Sequence, residues 1–417
     1  MKHKSDFLQG LDRRTLAVTS VLFISLVILG TLLAGCTQTQ NPAPTPNKTV
    51  LIVDSQGVGP MPPLLATKQV DGYIAWQPYV EVAPESGIGK VVTYSQDLPP
   101  DSVWKNHPTN ALVAREDLVQ SNPALVGDLS ALAILGTKYI NDNPQKSADL
   151  TADWLAGKGN FSYGNISVSS VTVLTNAMPH IKYTNDPSDS WLNSNNRFIQ
   201  SEIDLGYISG YLKNTTGADR SARLYNFTPY GNANTMISNR SFAIPAPDNN
   251  KIGLGYLLAA DHAALFVVVK DWQYFNDTYG ITLKPEDLTA SRPDKVDLLV
   301  NGTKVAEITL VSAAAGPQLM QLAATNGIQA SFVGVPPALA SIDKGNPIVI
   351  LMPIDNEGSG LVVRSDAPVQ DWKSFTDWAA QQSALGKPVK IAVPSKGSIQ
   401  DIMLRYALED SGFNVTG

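Results

Sequence analysis

The loop Ser395–Ser398 carries the residues best suited to hold a small anion. It follows the apolar segment KIAVP, and Ser398 stands where the next helix should begin. Gly397 allows an unusual backbone turn, and Lys396 adds a positive charge. Unpaired N–H groups in the first turn of a helix attract negative charge. The loop therefore predicts an anion-binding corner; the alternative is an ordinary helix start with a solvated lysine.

Three other loops follow segments that are typical of buried strands, and ligands in open α/β sheets bind at such positions. The predicted site residues in these loops are Trp76, Gln77, Tyr79, Ala260, Asp261, His262, Gly334, Val335 and Pro336. Trp76 and Tyr79 either wall a ligand or belong to a core. His262 either contacts the ligand or stabilises a helix start. Together with the Ser395–Ser398 loop, these residues form the predicted ligand site.

The sequence lacks the common signatures of catalysis. The four histidines are scattered through the chain, at His3, His107, His180 and His262. There is no HExxH motif, no phosphate loop and no visible triad. The net charge of −6 provides no general attraction for nucleic acid. We therefore predict a binding protein rather than an enzyme, without a cofactor, a metal or a nucleic-acid partner.

The elements that must position these loops alternate between strands and helices, which favours parallel sheets. Two segments, Gly59–Tyr79 and Gly316–Leu339, share a Gly-Pro start, a Leu/Ala-rich helix, a turn and an apolar strand. This repeat predicts two lobes of similar architecture. The longer predicted helices are Pro123–Ile140, Ser147–Leu155, Trp191–Lys213 and one capped by Asp261 that runs through Phe275.

The N-terminus has the pattern of an exported lipoprotein. Basic residues precede the apolar run Leu16–Leu33, and Ala34-Gly35 leads to Cys36, the one cysteine of the chain. Cleavage would make Cys36 the lipidated N-terminus, with residues 1–35 as signal peptide and the polar residues 36–48 as linker. The alternative is a retained membrane-spanning helix. Either leader places the body outside the membrane.

Nine Asn-x-Ser/Thr sequons occur, more than the composition of the chain requires. Their asparagines are Asn47, Asn160, Asn165, Asn214, Asn226, Asn239, Asn276, Asn301 and Asn414. With an export leader, they indicate a glycosylated cell surface, such as that of an archaeon. The alternative is that Asn and Thr are simply abundant.

Six stretches resemble the substrate-binding proteins of ABC importers for nitrate, sulfonates and taurine, a group that includes proteins like the thiamine-pyrimidine synthase. They are KIGLGYLLAADHAALFVV, FVGVPPALASIDKGNPIVIL, EGSGLVVRSDAPVQDWKSF, KIAVPSKGSIQDIMLRYALEDSGF, VDGYIAWQPYVEVA and HPTNALVAREDLVQSNPALV. The resemblance implies an α/β fold of the two-lobed periplasmic-binding-protein type II. Its two mixed or parallel sheets would be flanked by helices and joined by a two-strand hinge.

The same resemblance implies a monomer outside the cell membrane, anchored by its lipid, that captures a small anionic or polar ligand and passes it to an ABC permease. Many relatives have glutamate where Gln77 stands, and this difference leaves the ligand class open. One alternative is a sensor lipoprotein that signals to a membrane receptor. Another is a synthase-like enzyme, but that chemistry uses a cysteine-rich motif, and no cysteine follows Cys36.

Relatives begin with the KIGLGYLL segment, which here begins at Lys251. The end of the chain has the pattern of a helix and a turn without a following strand, and joining Gly417 to Thr49 makes a continuous helix–strand run. This pattern predicts a circular permutation, with Thr49 and Gly417 close in space. A fusion of two neighbouring binders or an error in the sequence would also explain it.

The permuted order predicts how the chain divides. Lobe 2 comprises residues 49–114 and 360–417, lobe 1 comprises residues 115–228 and 250–359, and residues 229–249 form a linker between former chain ends. Two strands, near 359–363 and 111–114, cross between the lobes. Two crossings form a hinge, so closure around a ligand is the predicted motion.

Overall fold

The structure, a computed structural model, describes residues 48–157, 159–245 and 250–417. The predicted signal peptide, Cys36, most of the linker and the Asn47 sequon lie outside these residues. Among the described residues, no helix is both long and apolar enough to cross a bilayer.

The described residues contain sixteen strands in two large sheets and one hairpin. The strands are β1 Thr49–Asp54, β2 Gly72–Trp76, β3 Gly89–Tyr94, β4 Pro108–Arg115, β5 Asn160–Tyr163, β6 Ile166–Ser169, β7 Ile181–Tyr183, β8 Lys251–Leu257, β9 Ile281–Pro285, β10 Lys295–Val300, β11 Thr303–Ala313, β12 Ala330–Gly334, β13 Ile348–Glu357, β14 Ser359–Arg364, β15 Val389–Val393 and β16 Asn414–Thr416. One sheet has the order β7-β13-β4-β12-β8-β11-β10-β9 and belongs to lobe 1. The other has the order β16-β1-β15-β2-β14-β3 and belongs to lobe 2.

Helices flank both sheets. Their bounds are α1 Met61–Ala66, α2 Tyr79–Glu85, α3 Glu116–Ser121, α4 Pro123–Asp142, α5 Pro144–Ala156, α6 Ser170–Ala177, α7 Asp189–Asp204, α8 Tyr211–Asn214, α9 Gly217–Leu224, α10 Thr228–Asn239, α11 Ala263–Lys270, α12 Trp272–Tyr279, α13 Gly316–Ala324, α14 Val335–Asp343, α15 Trp372–Ala384 and α16 Ile399–Asp410. Short 3-10 turns precede some of them, including Ala260–His262 before α11.

The internal repeat corresponds to one equivalent unit in each lobe. Every residue of β2 and of β12 is buried, as expected for strands covered on both faces. In lobe 2, β2 is parallel to β15 and antiparallel to β14. In lobe 1, β12 is parallel to β8 and antiparallel to β4. Each central strand therefore pairs with the strand that arrives from the other lobe, which is the two-lobed type II architecture implied by the resemblance.

The two crossings differ from one another. Gly358 alone separates β13 of lobe 1 from β14 of lobe 2, close to the predicted crossing. The second crossing lies in residues 95–107, before β4, and not within 111–114 as predicted. β4 pairs on both sides, with β12 and β13, so it is an interior strand of the lobe 1 sheet.

The described ends of the chain meet in the lobe 2 sheet. Thr49 pairs with Asn414 in parallel register, and the Asn414 N–H donates to the Lys48 carbonyl at 2.7 Å. The predicted proximity is confirmed, but the predicted absence of a final strand is wrong. β16 has three residues, too few to give a recognisable alternation. The permutation itself stays a prediction.

Three predicted segments need correction. The helix predicted from Asp261 is a 3-10 turn followed by α11 and α12, which are separated at Asp271. The helix predicted over Trp191–Lys213 ends at Asp204. Gly206 has a φ of 77°, which a right-handed helix does not allow, and the chain turns there. Most of the predicted linker forms helix α10, which buries Ala233 and packs on α4.

Candidate functional site

A narrow cavity lies between the two lobes, at the ends of β2, β8 and β12. The space open to the centre of a water molecule is about 20 Å³, enough for about one water. Gly334 of lobe 1 lies against Ile399 of lobe 2, where an added Cβ would stand 3.2 Å from the isoleucine Cδ1. A larger ligand therefore requires the lobes to separate.

Asp261 supplies the carboxyl group of this cavity. Its side chain is almost fully buried, and its Oδ1 has no hydrogen-bond partner among the described residues. The hinge residue Gly358 has a φ of 84°, and a Cβ there would lie 2.7 Å from that oxygen. The hinge glycine thus leaves room for the carboxyl group, and the group is available to a ligand.

The carboxyl group of Asp355 is close enough to that of Asp261 for the two to interact electrostatically. Asp355 Oδ1 accepts hydrogen bonds from the Asn110 backbone N–H at 3.0 Å and from its Nδ2 at 3.1 Å. Burial raises the pKa of Asp355 to about 8, while the bonds from Asn110 oppose that rise. Burial, and then the nearby Asp355, raise the pKa of Asp261 well above its usual value. Both carboxyl groups therefore tend to keep a proton at neutral pH.

His262 connects this pair to the sheet as a neutral ring. Its Nδ1 accepts from the Leu257 N–H at 2.9 Å, so its Nε2 carries the proton and donates to Asn110 Oδ1 at 3.2 Å. Burial lowers the pKa of His262 to about 3. The ring lines the cavity, but it acts there as a fixed polar wall and not as a cation.

The segment after β2 links the lobes through its backbone. The Gln77 N–H donates to the Gly358 carbonyl, and the Gln77 carbonyl accepts from the Ala260 N–H, both at 2.9 Å. The Gln77 side chain turns to Glu81 at 3.2 Å, away from the cavity. Trp76 lines the cavity, and its Nε1 has no partner among the described residues. The lining therefore contains two side chains with an unpaired buried polar atom, Trp76 and Asp261.

The Ser395–Ser398 loop does not keep its N–H groups free. The Lys396 N–H donates to Asp54 Oδ2 at 3.3 Å, and the Gly397 N–H donates to Asp401 Oδ2 at 2.9 Å. The Ser398 side chain accepts from the Asp401 N–H and caps α16, as predicted. The Lys396 and Gly397 N–H groups, which the sequence predicted to bind an anion, are therefore already bonded to carboxylates of the protein.

The helices of lobe 1 that begin at the cavity also have few free backbone N–H donors in their first turns. α13 has Pro317 in its first turn, and α14 has Pro336 and Pro337. Proline has no N–H group. Among the described residues that line the cavity, none is a lysine or an arginine. The lining is therefore apolar and acidic rather than cationic.

The predicted residues divide into three groups. Those that line the cavity are Trp76, Asp261, His262, Gly334 and Ser398. Lys396 and Gly397 line a wider outer groove between the lobes, which they share with Tyr207 and Lys344. The predicted residues that line neither space are Gln77, Tyr79, Ala260, Val335, Pro336 and Ser395. Tyr79 is buried and packs on Phe161, with ring centres 6.3 Å apart.

Seven residues of the lining did not emerge from the sequence, and an eighth, Pro337, belongs to the loop 334–337 that the sequence indicated. The seven are Thr109, Asn110, Leu257, Ala259, Gly316, Ile399 and Gln400. Gly316 is the first residue of the second repeat segment, Gly316–Leu339, so the repeat could have identified it as a site residue. Asn110 and Thr109 lie in β4, the strand that the prediction assigned to the other lobe.

The lobes also touch on both sides of the cavity. On one side, the His180 ring of lobe 1 stacks on Tyr94 of lobe 2 at 3.9 Å, and its Nε2 lies 3.8 Å from Glu81 Oε1. On the other side, the Tyr207 hydroxyl of lobe 1 donates to Asp401 Oδ2 at 2.7 Å. These contacts exist only while the lobes are closed.

Comparisons with known proteins agree with this architecture. The model of the NMT1-like family matches residues 32–156 and 245–417. The chain belongs to the NMT1-like family. The two matched segments together cover most of the chain, including both halves of the cavity. With the two-lobed fold, this membership makes the chain an extracytoplasmic solute-binding protein of the ABC-importer class.

A curated relative provides a weaker comparison. An uncharacterized protein of Methanocaldococcus jannaschii is 26% identical over 122 residues, which are 29% of this chain and 78% of the relative. No solved structure matches the chain.

Proposed function

We propose that this protein captures a small polar ligand that is neutral or positively charged and rich in N–H groups. The observation that carries the proposal is the buried carboxyl group of Asp261, a residue that lines the interlobe cavity and whose Oδ1 has no hydrogen-bond partner among the described residues. A buried polar group without a hydrogen bond costs about 1–3 kcal/mol. A ligand N–H donor would remove that cost.

The electrostatics of the lining support the same class of ligand. The raised pKa of Asp261 means that a cationic ligand would replace a proton, whereas a neutral ligand would accept from or donate to the protonated carboxyl. Trp76 adds an aromatic surface, and cations and flat rings both favour such surfaces. An anion such as nitrate or a sulfonate belongs to the anionic or polar class that the sequence predicted, but it would find no lysine or arginine among the described residues of the lining.

The proposal predicts which side chain controls affinity. We expect Asp261→Asn to weaken binding of a cationic ligand at least tenfold, since such a ligand needs the ionised carboxyl and hydrogen bonds to charged groups contribute about 1.5–3 kcal/mol. A neutral ligand should lose less affinity, because Asn imitates the protonated carboxyl. The probes are nitrate, taurine, pyrimidines, guanidinium and small amines, screened by thermal shift and then measured by calorimetry. Asp287→Asn, at an exposed position on the same lobe, is the matched control.

The anionic alternative has its own variant. If a sulfonate or nitrate binds, and Lys396→Ala combined with Ser398→Ala abolishes that binding while Asp261→Asn does not, then the ligand is an anion held by the Ser395–Ser398 loop. That result would overturn the proposal on the ligand while leaving a solute-binding function intact.

We further propose that Cys36 is lipidated and holds the protein on the outer face of the membrane, where it delivers its ligand to an ABC permease. A tether raises the effective concentration of the binder near the permease without new contacts. Neutron reflection or detergent partitioning of wild type and Cys36→Ser checks the anchor: only the wild type should stay with the membrane.

Ligand binding is expected to close the lobes and reduce the radius of gyration, measured by small-angle scattering. A ligand shifts this balance only by its different affinities for the two forms. His180→Ala removes the stacking on Tyr94 and should favour the open form, with weaker binding. A tight ligand that leaves the radius of gyration unchanged would instead support a rigid sensor.

A further inference from the structure

The asparagines of the described sequons are all at the protein surface. Six are exposed, namely Asn160, Asn165, Asn214, Asn239, Asn301 and Asn414, and Asn226 and Asn276 are half-buried. The described asparagines that are buried are Asn110, Asn122, Asn185, Asn195 and Asn356, and none of them is in a sequon. An excess of sequons that arose only from composition would fall on buried asparagines as well.

Most sequon asparagines also lie where the backbone turns or an element ends. Asn165 follows Gly164 in the turn between β5 and β6, and Asn301 has a φ of 49° in the turn between β10 and β11. Asn214 and Asn239 are the last residues of α8 and α10. Loops and element ends protrude and deform more easily than element interiors, so a modifying enzyme can reach them.

We propose that this protein carries N-linked glycans, with Asn165, Asn214 and Asn301 as principal sites. In the transfer, Asn Nδ2 loses a proton and forms a bond to C1 of a sugar. The bond from that carbon to the phosphate of a lipid-linked donor breaks, and the lipid phosphate leaves. The extracytoplasmic location supplies the compartment in which such donors act.

The local structure ranks the sites. Asn276 lies inside α12, and its Nδ2 donates to Asp277 Oδ1 at 3.0 Å. The Nδ2 of Asn214 also donates, to the Gly210 carbonyl at 2.7 Å, but Asn214 is exposed and ends α8. Asn226 Oδ1 accepts from the N–H of Thr228, the third residue of its own sequon, at 3.1 Å. Asn276 and Asn226 are half-buried and should carry less glycan than Asn165, Asn214 and Asn301.

The glycans would cover lobe 1 unevenly and leave the ligand site open. Six of the eight described sequons are in lobe 1, Asn239 is on α10, which packs on α4 of lobe 1, and Asn414 on the edge strand β16 is in lobe 2. None of the eight asparagines lines the interlobe cavity. Glycosylation at these positions is therefore compatible with ligand entry and lobe closure.

The chain contains a matched internal control. Asn326 is exposed, has a φ of 61° and precedes Gly327, as Asn301 has a φ of 49° and precedes Gly302. The two turns differ in the next residue, which is Thr303 after Asn301 and Ile328 after Asn326. Only Asn301 is in a sequon, so the effect of the sequon on glycosylation can be separated from the effect of exposure within one molecule.

The test is peptide mass spectrometry of the full protein recovered from the membranes of the cells that encode it. We expect sugar-bearing peptides at Asn165, Asn214 and Asn301, none at Asn326, and low occupancy at Asn276. In a host that N-glycosylates secreted proteins, Thr303→Ser should keep the glycan on Asn301, and Thr303→Val should lose that glycan alone. Sugar-free peptides at all six exposed sequons of the native protein would overturn the proposal, as would equal modification of Asn326.

Discussion

Replacing Gly136 with alanine is expected to destabilise the protein by about 3 kcal/mol, the upper part of the usual range for overpacking a core. Gly136 lies inside α4, where that helix crosses α11. An added Cβ would overlap the backbone of Ala264, lying 2.9 Å from its carbonyl carbon, and backbone cannot rotate away. Because α11 begins just after His262, the displaced helix would also disturb the ligand cavity.

Gly127→Ala is the matched control for this prediction. Gly127 lies in the same helix, but its Cβ would meet only the flexible end of Met236, 3.1 Å away. Alanine is better than glycine in a helix by about 0.8–1 kcal/mol, so we expect a neutral or slightly stabilising result. Urea unfolding of both variants gives the comparison. Equal stabilities would show that α4 and α11 do not approach as closely as described.

Raising the pH from 5 to 8 is expected to lower the free energy of unfolding by about 3 kcal/mol or more. Burial raises the pKa of Asp128 and Asp355 to about 8, and it raises the pKa of Glu202 and Asp261 well above their usual values. In the unfolded chain these groups lose their protons near pH 4. The buried His107 and His262, with pKa lowered to about 4 and about 3, act in the opposite direction below about pH 6.5. The four carboxyl groups outnumber them, so between pH 5 and 8 the folded state binds more protons than the unfolded state, and stability falls as pH rises.

Glu202→Gln should flatten this pH dependence. Both carboxyl oxygens of Glu202 are buried without a hydrogen-bond partner among the described residues, and Gln imitates the protonated group. We expect similar stability to wild type at pH 5 and greater stability at pH 8, measured by urea unfolding. Asp287→Asn, at an exposed carboxyl, should leave the slope between pH 5 and 8 unchanged. A stability that rises with pH in the wild type would contradict the burial of these groups.

The sequence was sufficient for the elements whose signal is local. Apolar runs such as 389–393 and the repeated Gly-Pro units predicted β15, β2 and β12, because a strand covered on both faces must be apolar throughout. The three-residue strand β16 and the polar hairpin of β5 and β6 have too little periodicity to be recognised. Their pairing depends on partners that are distant in the chain.

The candidate site shows the same division between local and distant signals. Ser398 as a helix cap was predictable from its own neighbours. That the Lys396 N–H donates to Asp54 was not, since Asp54 lies at the other end of the described chain, whereas the Gly397 N–H donates to Asp401, only four residues further on. What holds for Asp54 also holds for Asp355 in β13 and Asp261 after β8, because β4 and β12 lie between these strands and all four must pair before the two carboxyl groups are near each other. The ionic character of the cavity is therefore a tertiary property.

The position of β1 between β15 and β16 also affects how the protein is made. During synthesis β1, β2 and β3 emerge first, yet β1 pairs only with residues 389–393 and 414–416, and β2 and β3 pair with β14 or β15. Nearly the whole chain must therefore be present before lobe 2 can form its sheet. Such distant pairings slow folding, and unpaired strand edges aggregate. The early segment therefore stays exposed to aggregation until the last strands arrive.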